Sequence, residues 1–251
     1  VTLGYGRLLA SYKIKQPVRM GSMRLLRVAA VAAFLLFIAW ATIARPDHKY
    51  RLTFNVATPH GMVSASNVMA VYLDDFSIGP IGGGIGMKGD AVFLDLGEGK
   101  NIIAILAHGK DGSEDRIGTL AREAFATAGR KVQFKDVKQL TGKVPVQGNL
   151  IPTLVTFTDL NEPTTAKVLD IGDIDTSFGK GYRLQSVSLE MLPVGLWPFD
   201  FGGPLGEPVT RGIEGKLPWW NKPGRPNAVA LRAAGLRTGS TIGPELAFSR
   251  N

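Results

Sequence analysis

The sequence predicts an α+β protein, with an N-terminal transmembrane helix followed by a mainly antiparallel β exported domain that carries one or two short helices. Three observations carry this expectation. An uncharged apolar run from Val28 to Ala44 follows a basic N-terminus. Short alternating segments separated by Gly, Pro and Asn turns recur from Lys49 to Leu192, which is the pattern of strands joined by tight connections. Between them, Thr119 to Gly129 has the apolar spacing and the end residues of a helix.

The apolar run holds 17 residues without a charge, between Arg27 and Arg45. As a helix it is about 25 Å long, at the short end of a bilayer span. Arg7, Lys13, Lys15, Arg19, Arg24 and Arg27 precede it, and no acid does. Cations stay on the cytoplasmic side, so residues 1–27 are expected in the cytoplasm and the body in the periplasm of a bacterial inner-membrane protein. The alternative is a cleaved signal peptide. "AWA" at Ala39 to Ala41 and "TIA" at Thr42 to Ala44 offer small residues for a signal peptidase, and the product would be a secreted soluble form. Met20 and Met23 stand just before "RLLR", and either is expected as the true start.

The body is expected in two β-rich parts, 47–110 and 151–220, with a helical and connecting segment, 111–150, between them. Lys49 to Thr58 alternates as a first strand, "PHG" turns the chain, and Asn67 to Asp75 gives a second strand. Ala91 to Leu96 and Asn101 to Ala107 flank "GEGK" as a hairpin. Thr119 should cap a helix that places Leu120, Ala124 and Phe125 on one face and stops at Gly129. Val132 to Gly142 suggests a second short helix, and "KVPVQGNLIP" an extended connector. Thr153 to Leu160, "AKVLD" and Tyr182 to Leu192 read as strands, with a helical turn between Asp173 and Gly179. Pro193 to Val209 holds too much Pro and Gly for a regular element. Residues 221–251 are expected as a basic, disordered tail, with a short helix from Pro226 carrying Leu231 and Leu236 as the alternative.

Charge removes a nucleic-acid reading. The net charge is +8, but 1–45 holds seven Lys and Arg and no acid, and 221–251 holds five against one. Residues 46–220 keep 17 basic against 20 acidic residues, so no basic face is implied for the body. The absence of cysteine excludes disulfides, thiolate metal sites and a Cys nucleophile.

"GIGMKG" at Gly84 to Gly89 matches the spacing of a dinucleotide fingerprint, which needs a helix to open on the glycines. A strand pattern follows instead, so a Gly-rich loop between strands is expected, with no nucleotide. His48, His60 and His108 show no metal-ligand spacing, and Asp170, Asp173 and Asp175 miss the EF-hand register. Asp74 and Asp75 are adjacent on a strand and point to opposite faces. No G-x-S-x-G is present. No cofactor, metal or catalytic residue is therefore expected. Trp219 and Trp220 are the candidate partner or membrane contact, and the rival reading has them closing the core.

The segments "YRLTFNVATPHGMVSASNVMAVYLDD", "GDAVFLDLGEGKNIIAILAHG", "LVTFTDLNEPTTAKVLDIGDIDTSFGKGYRL" and "PVTRGIEGKLPWW" resemble a family of uncharacterised proteobacterial proteins with one N-terminal membrane segment. The resemblance spans roughly residues 23–220 and brings no activity or ligand with it. The expected function is a membrane-anchored, non-enzymatic envelope module that binds a protein or envelope polymer. Two alternatives stand beside it. One is an envelope hydrolase in which Asp74, Asp95 and Asp173 converge. The other is an accessory subunit packing through Ala29, Ala30, Ala32 and Ala33 of its membrane helix.

Overall fold

The computed structural model describes residues 20–43, 45–73, 84–195, 206–221, 226–237 and 244–250. It is an α+β fold with mainly antiparallel sheets and few helices. The chain divides into two units, Val1–Ala44 and Arg45–Asn251.

The first unit carries helix α1, Met20–Ile43. Side chains are described for residues 25–39, and every one of them is exposed, including Leu26, Phe34 and Leu36. Among the described residues, no helix is long and apolar enough to cross a membrane.

The second unit opens with a long hairpin. Strands β1 (His48–Thr58) and β2 (Gly61–Leu73) pair from His48↔Val71 to Thr58↔Gly61, and Pro59 and His60 form the turn. β3 (Ile85–Asp90) pairs with the end of β2. The sequence expects a loop at Gly84 to Gly89, but residues 85–90 are strand, because small residues are what the approach to β2 admits. A Cβ at Gly89 would lie 3.1 Å from Met69 Cγ, and φ there is +148°. Asp74 and Asp75 lie outside the described residues.

Ala91 alone separates β3 from β4 (Val92–Gly97), which lies in a second sheet. β5 (Lys100–Ala104) completes the expected hairpin. Helix α2 (Leu120–Thr127) buries Leu120, Ala121, Ala124 and Phe125. A 3-10 turn, Phe134–Gln139, replaces the second helix. The connector contains β6 (Lys143–Pro145), whose partner is distant in sequence. β7 (Leu154–Phe157) and β8 (Ala166–Val168) follow, then α3 (Ile174–Phe178), then β9 (Arg183–Leu192). Gly179 ends α3 at φ +101°.

In the tail, the described residues follow the alternative reading, a short helix from Pro226, and not the disordered one. Helix α4 (Pro226–Ala233) buries Leu231, and Leu236, Ala247 and Phe248 are buried beyond it. β10 (Ser249–Arg250) then pairs with β3. A basic, Gly-rich composition suggests disorder, but four apolar anchors bury enough surface to hold the described part down. Residues 45–251 form one unit. β1 lies between β2 and β9, and β5 lies between β4 and β7.

The sheets run β10-β3-β2-β1-β9-β6 and β4-β5-β7-β8. Alternation along the second sheet fills two cores. Val92, Leu94, Ile102, Ala104 and Leu154 join Tyr50, Leu52, Phe54 and Met69 of the first sheet. Ala91, Ile103, Ile105, Val155 and Phe157 face Ile213, Leu217, Trp219, Leu231 and Phe248. The second sheet is therefore buried on both faces, one against strands and one against the C-terminal segment.

The corner between the sheets is held by polar bonds. Ser249 Oγ donates to Asp90 Oδ1 (2.7 Å), and the Ile213 N–H donates to Asp90 Oδ2 (2.9 Å). Asn67 Nδ2 donates to the carbonyls of Asp90 and Ala91, and the Ala91 N–H donates to the Phe248 carbonyl. We expect Asp90→Ala to lower the urea midpoint by the equivalent of roughly 1–3 kcal/mol, because buried donors lose their acceptor. Asp90→Asn, which keeps one acceptor oxygen, should fall between the two.

Candidate functional site

The chain leaves β5 still extended. The Ile105 N–H donates to the Thr153 carbonyl, and the Thr153 N–H to the Ala107 carbonyl. His108 and Glu114 then exchange backbone hydrogen bonds of 2.8 and 3.0 Å and close a loop. Gly109 within it has φ +90°, and a Cβ there would stand 3.3 Å from Glu114 Oε1. The position therefore needs glycine on two counts.

This loop, the 149–154 stretch and the turn after β8 enclose a cleft of about 600 Å³. Its apolar wall is Ile151, Leu154, Val168, Leu169 and Ile171. Lys110, Glu114, Asn149 and Asp170 supply the polar groups. Asp170 Oδ1 accepts from the Gly172 N–H, and Glu114 lies 3.8 Å from Arg116 Nη1. Lys110 makes no ion pair among the described residues. An apolar wall rimmed by the Lys110 ammonium, the Glu114 and Asp170 carboxylates and Asn149 suits a ligand with an apolar body and polar groups of either sign. The volume is in the range of small-molecule and peptide-segment pockets.

His108 is fully buried next to the loop closure. Its Nε2 lies 3.1 Å from the Leu150 carbonyl. That contact places the proton on Nε2, so Nδ1, which has no partner among the described residues, carries the lone pair. Burial pushes its pKa down to about 4, against the pull of the Leu150 carbonyl, and the Arg116 charge pushes the same way. The histidine ties the loop to the 149–154 stretch in its neutral form.

The Trp pair sits elsewhere. Trp219 is 1% exposed, its ring 6.0 Å from Phe157 and 5.7 Å edge-on to Phe248. Its carbonyl accepts from Asn227 Nδ2. Trp220 is half-buried against the same Phe248 ring. Closing the core is thus the role of Trp219, and of the pair only Trp220 keeps exposed surface for a contact.

The acids named for a hydrolase are not brought together among the described residues. Asp95 is exposed on β4 and lines a separate cavity of about 360 Å³ with Asp90, Arg211 and Lys216. Asp173 is exposed before α3 and accepts from Thr176 Oγ1 at 2.7 Å. Among the described residues no group of three or more His or acidic side chains is placed to hold a metal ion. Residues 84–90 offer no helix N-terminus to a phosphate. The cleft itself was not legible in the sequence, since its walls come from three segments. The one local signal was a histidine ending an apolar run.

The low pKa of His108 gives stability a pH dependence. Between about pH 6.5 and about pH 4 the unfolded chain takes up a proton there that the folded chain refuses. Stability should therefore be complete above pH 6.5 and fall as pH drops to about 4, by roughly 3 kcal/mol. Urea titrations at several pH values check this, and His108→Gln should flatten the profile across that window.

Comparison of the chain with protein-family models, curated proteins and solved structures returns no match.

Proposed function

We propose that the chain is a membrane-anchored binding module of the bacterial envelope, tethered by α1 and taking its partner through the cleft beside the His108–Glu114 loop. The observation that carries the tether is the exposure of α1: each residue from 25 to 39 is exposed, and most are apolar. A helix apolar all round is stable in lipid or inside protein, not in water. Arg24 and Arg27 on one side of the run and Arg45 on the other match the flanks of a span, with the greater charge at the N-terminal end.

The binding role is supported by what the body offers. Its two cores are complete within the second unit, its acids are dispersed, and the cleft combines a cation with an apolar wall. Such a wall takes an apolar side chain of a partner segment, and Lys110 takes an adjacent carboxylate. The partner is a protein segment or an envelope polymer of that chemistry.

Two measurements test the reading. The full chain should stay with membranes through an alkaline carbonate wash, and protease added outside spheroplasts should digest the body. Release into the wash would overturn the tether. A partner recovered with the full chain from mild detergent should fall by about tenfold or more with Ile151→Glu, since a charge in a buried contact removes a large share of binding energy. Equal recovery with this variant would remove the cleft from the function.

A further inference from the structure

One side of β2 is paired continuously from Gly61 to Val71, and the other is paired only in part. β1 covers the first side from His48↔Val71 to Thr58↔Gly61. On the other side, β3 covers Ala70 to Leu73. Val68 is covered by Thr210, whose N–H donates to the Val68 carbonyl (3.0 Å) and whose Oγ1 accepts from the Val68 N–H (2.9 Å). Backbone groups alternate in direction along a strand. Since Val68 points its N–H and C=O outward, so do Ser66, Ser64 and Met62. Among the described residues nothing pairs with these three, and all three are exposed.

This edge lacks the devices that usually guard one. From Leu52 to Asn67 the hairpin has no Lys, Arg, Asp or Glu. No proline and no bulge interrupts Gly61 to Asn67. An uncharged edge with no proline or bulge of its own is a template for another strand.

We propose that residues 61–67 of β2 pair antiparallel with the same edge of a second copy of this chain, about a two-fold axis at Ser64. The limits of the edge favour a copy over a foreign extended peptide. The open positions run from Gly61, where the chain turns away to β1, to Asn67, just before the Thr210 contact. In a register centred on Ser64, Gly61 of one chain stands opposite the partner's Asn67. Each strand therefore turns away where the other's edge is already occupied, whereas a longer peptide would meet the Thr210 segment. The centre is also a residue whose N–H and C=O face outward, as antiparallel pairing about a two-fold axis requires here. Met62 then faces the partner's Ser66, and Ser64 the partner's Ser64. No like charges meet.

The absence of cysteine makes the register testable by single substitutions in the full chain, in detergent or in vesicles. Ser64→Cys places two thiols across the axis, with Cα atoms about 5.5 Å apart, within the reach of a disulfide. Mild oxidation should give a covalent dimer. Met62→Cys and Ser66→Cys alone should not link, since like residues are offset by about 13 Å along the strands. A mixture of those two variants should link. Ser64→Lys, at an exposed position, should keep the circular dichroism and melting of the parent while self-association by sedimentation becomes at least about tenfold weaker. A monomeric Ser64→Cys chain, linkage of Ser66→Cys alone to the same extent, or association unchanged by Ser64→Lys would each overturn the proposal.

Discussion

The fold turns on one buried carboxylate. Asp90 sits where the chain passes from one sheet to the other, and its two oxygens receive a donor from each of two later parts of the sequence, Ile213 and Ser249. A carboxylate is buried at reasonable cost only when its oxygens are hydrogen-bonded. The corner and the C-terminal segment therefore require one another. Without residues 213 and 249, Asp90 would be an unsatisfied charge in the interior. Without Asp90, the segment would lose its polar anchor at both points.

The hydrophobic consequence follows from strand alternation. β5 and β7 bury apolar residues on both faces, so a single facing sheet cannot satisfy them. The second face is covered by a segment with little regular structure, and the covering side chains are large: Trp219, Phe248, Leu231 and Leu236. This is why an adjacent tryptophan pair, a surface contact signal when read locally, serves mostly as core. A sheet buried on both sides needs bulky residues from whatever chain remains, and the chain remaining here is the C-terminal one.

What the sequence made legible was what local pattern encodes. The β1–β2 and β4–β5 hairpins, α2 with Leu120, Ala124 and Phe125 inward, and β9 all follow from alternation, helical spacing and turn residues. What it hid depends on partners far along the chain. β6 is three residues long and exists because β9 offers an edge. β3 is glycine-rich and takes strand geometry because β2 admits little else. The tail has a disordered composition, yet a few well-spaced apolar residues meet an uncovered sheet face. The cleft was hidden for the same reason, since Lys110, Ile151 and Asp170 come together only when β5, β7 and β8 align.

The unfinished surfaces of the molecule are of two opposite kinds, and their energetics link them. α1 presents apolar side chains, which lipid satisfies strongly and without partner specificity. The β2 edge presents backbone donors and acceptors, each worth about 0.5–1.5 kcal/mol net when paired. Three facing pairs would form about six such bonds. That sum is comparable to the cost of immobilising one molecule on another, about 4–15 kcal/mol. Edge pairing between free chains would therefore be marginal. Confinement of chains to a membrane raises their effective concentration and lowers part of that cost without adding a contact. In the proposed tethered state a weak, uncharged edge would be tolerable, because the same weakness that permits reversible pairing limits further association. Under the proposed tether, the exposed apolar surface of α1 would set the concentration at which the uncharged β2 edge operates.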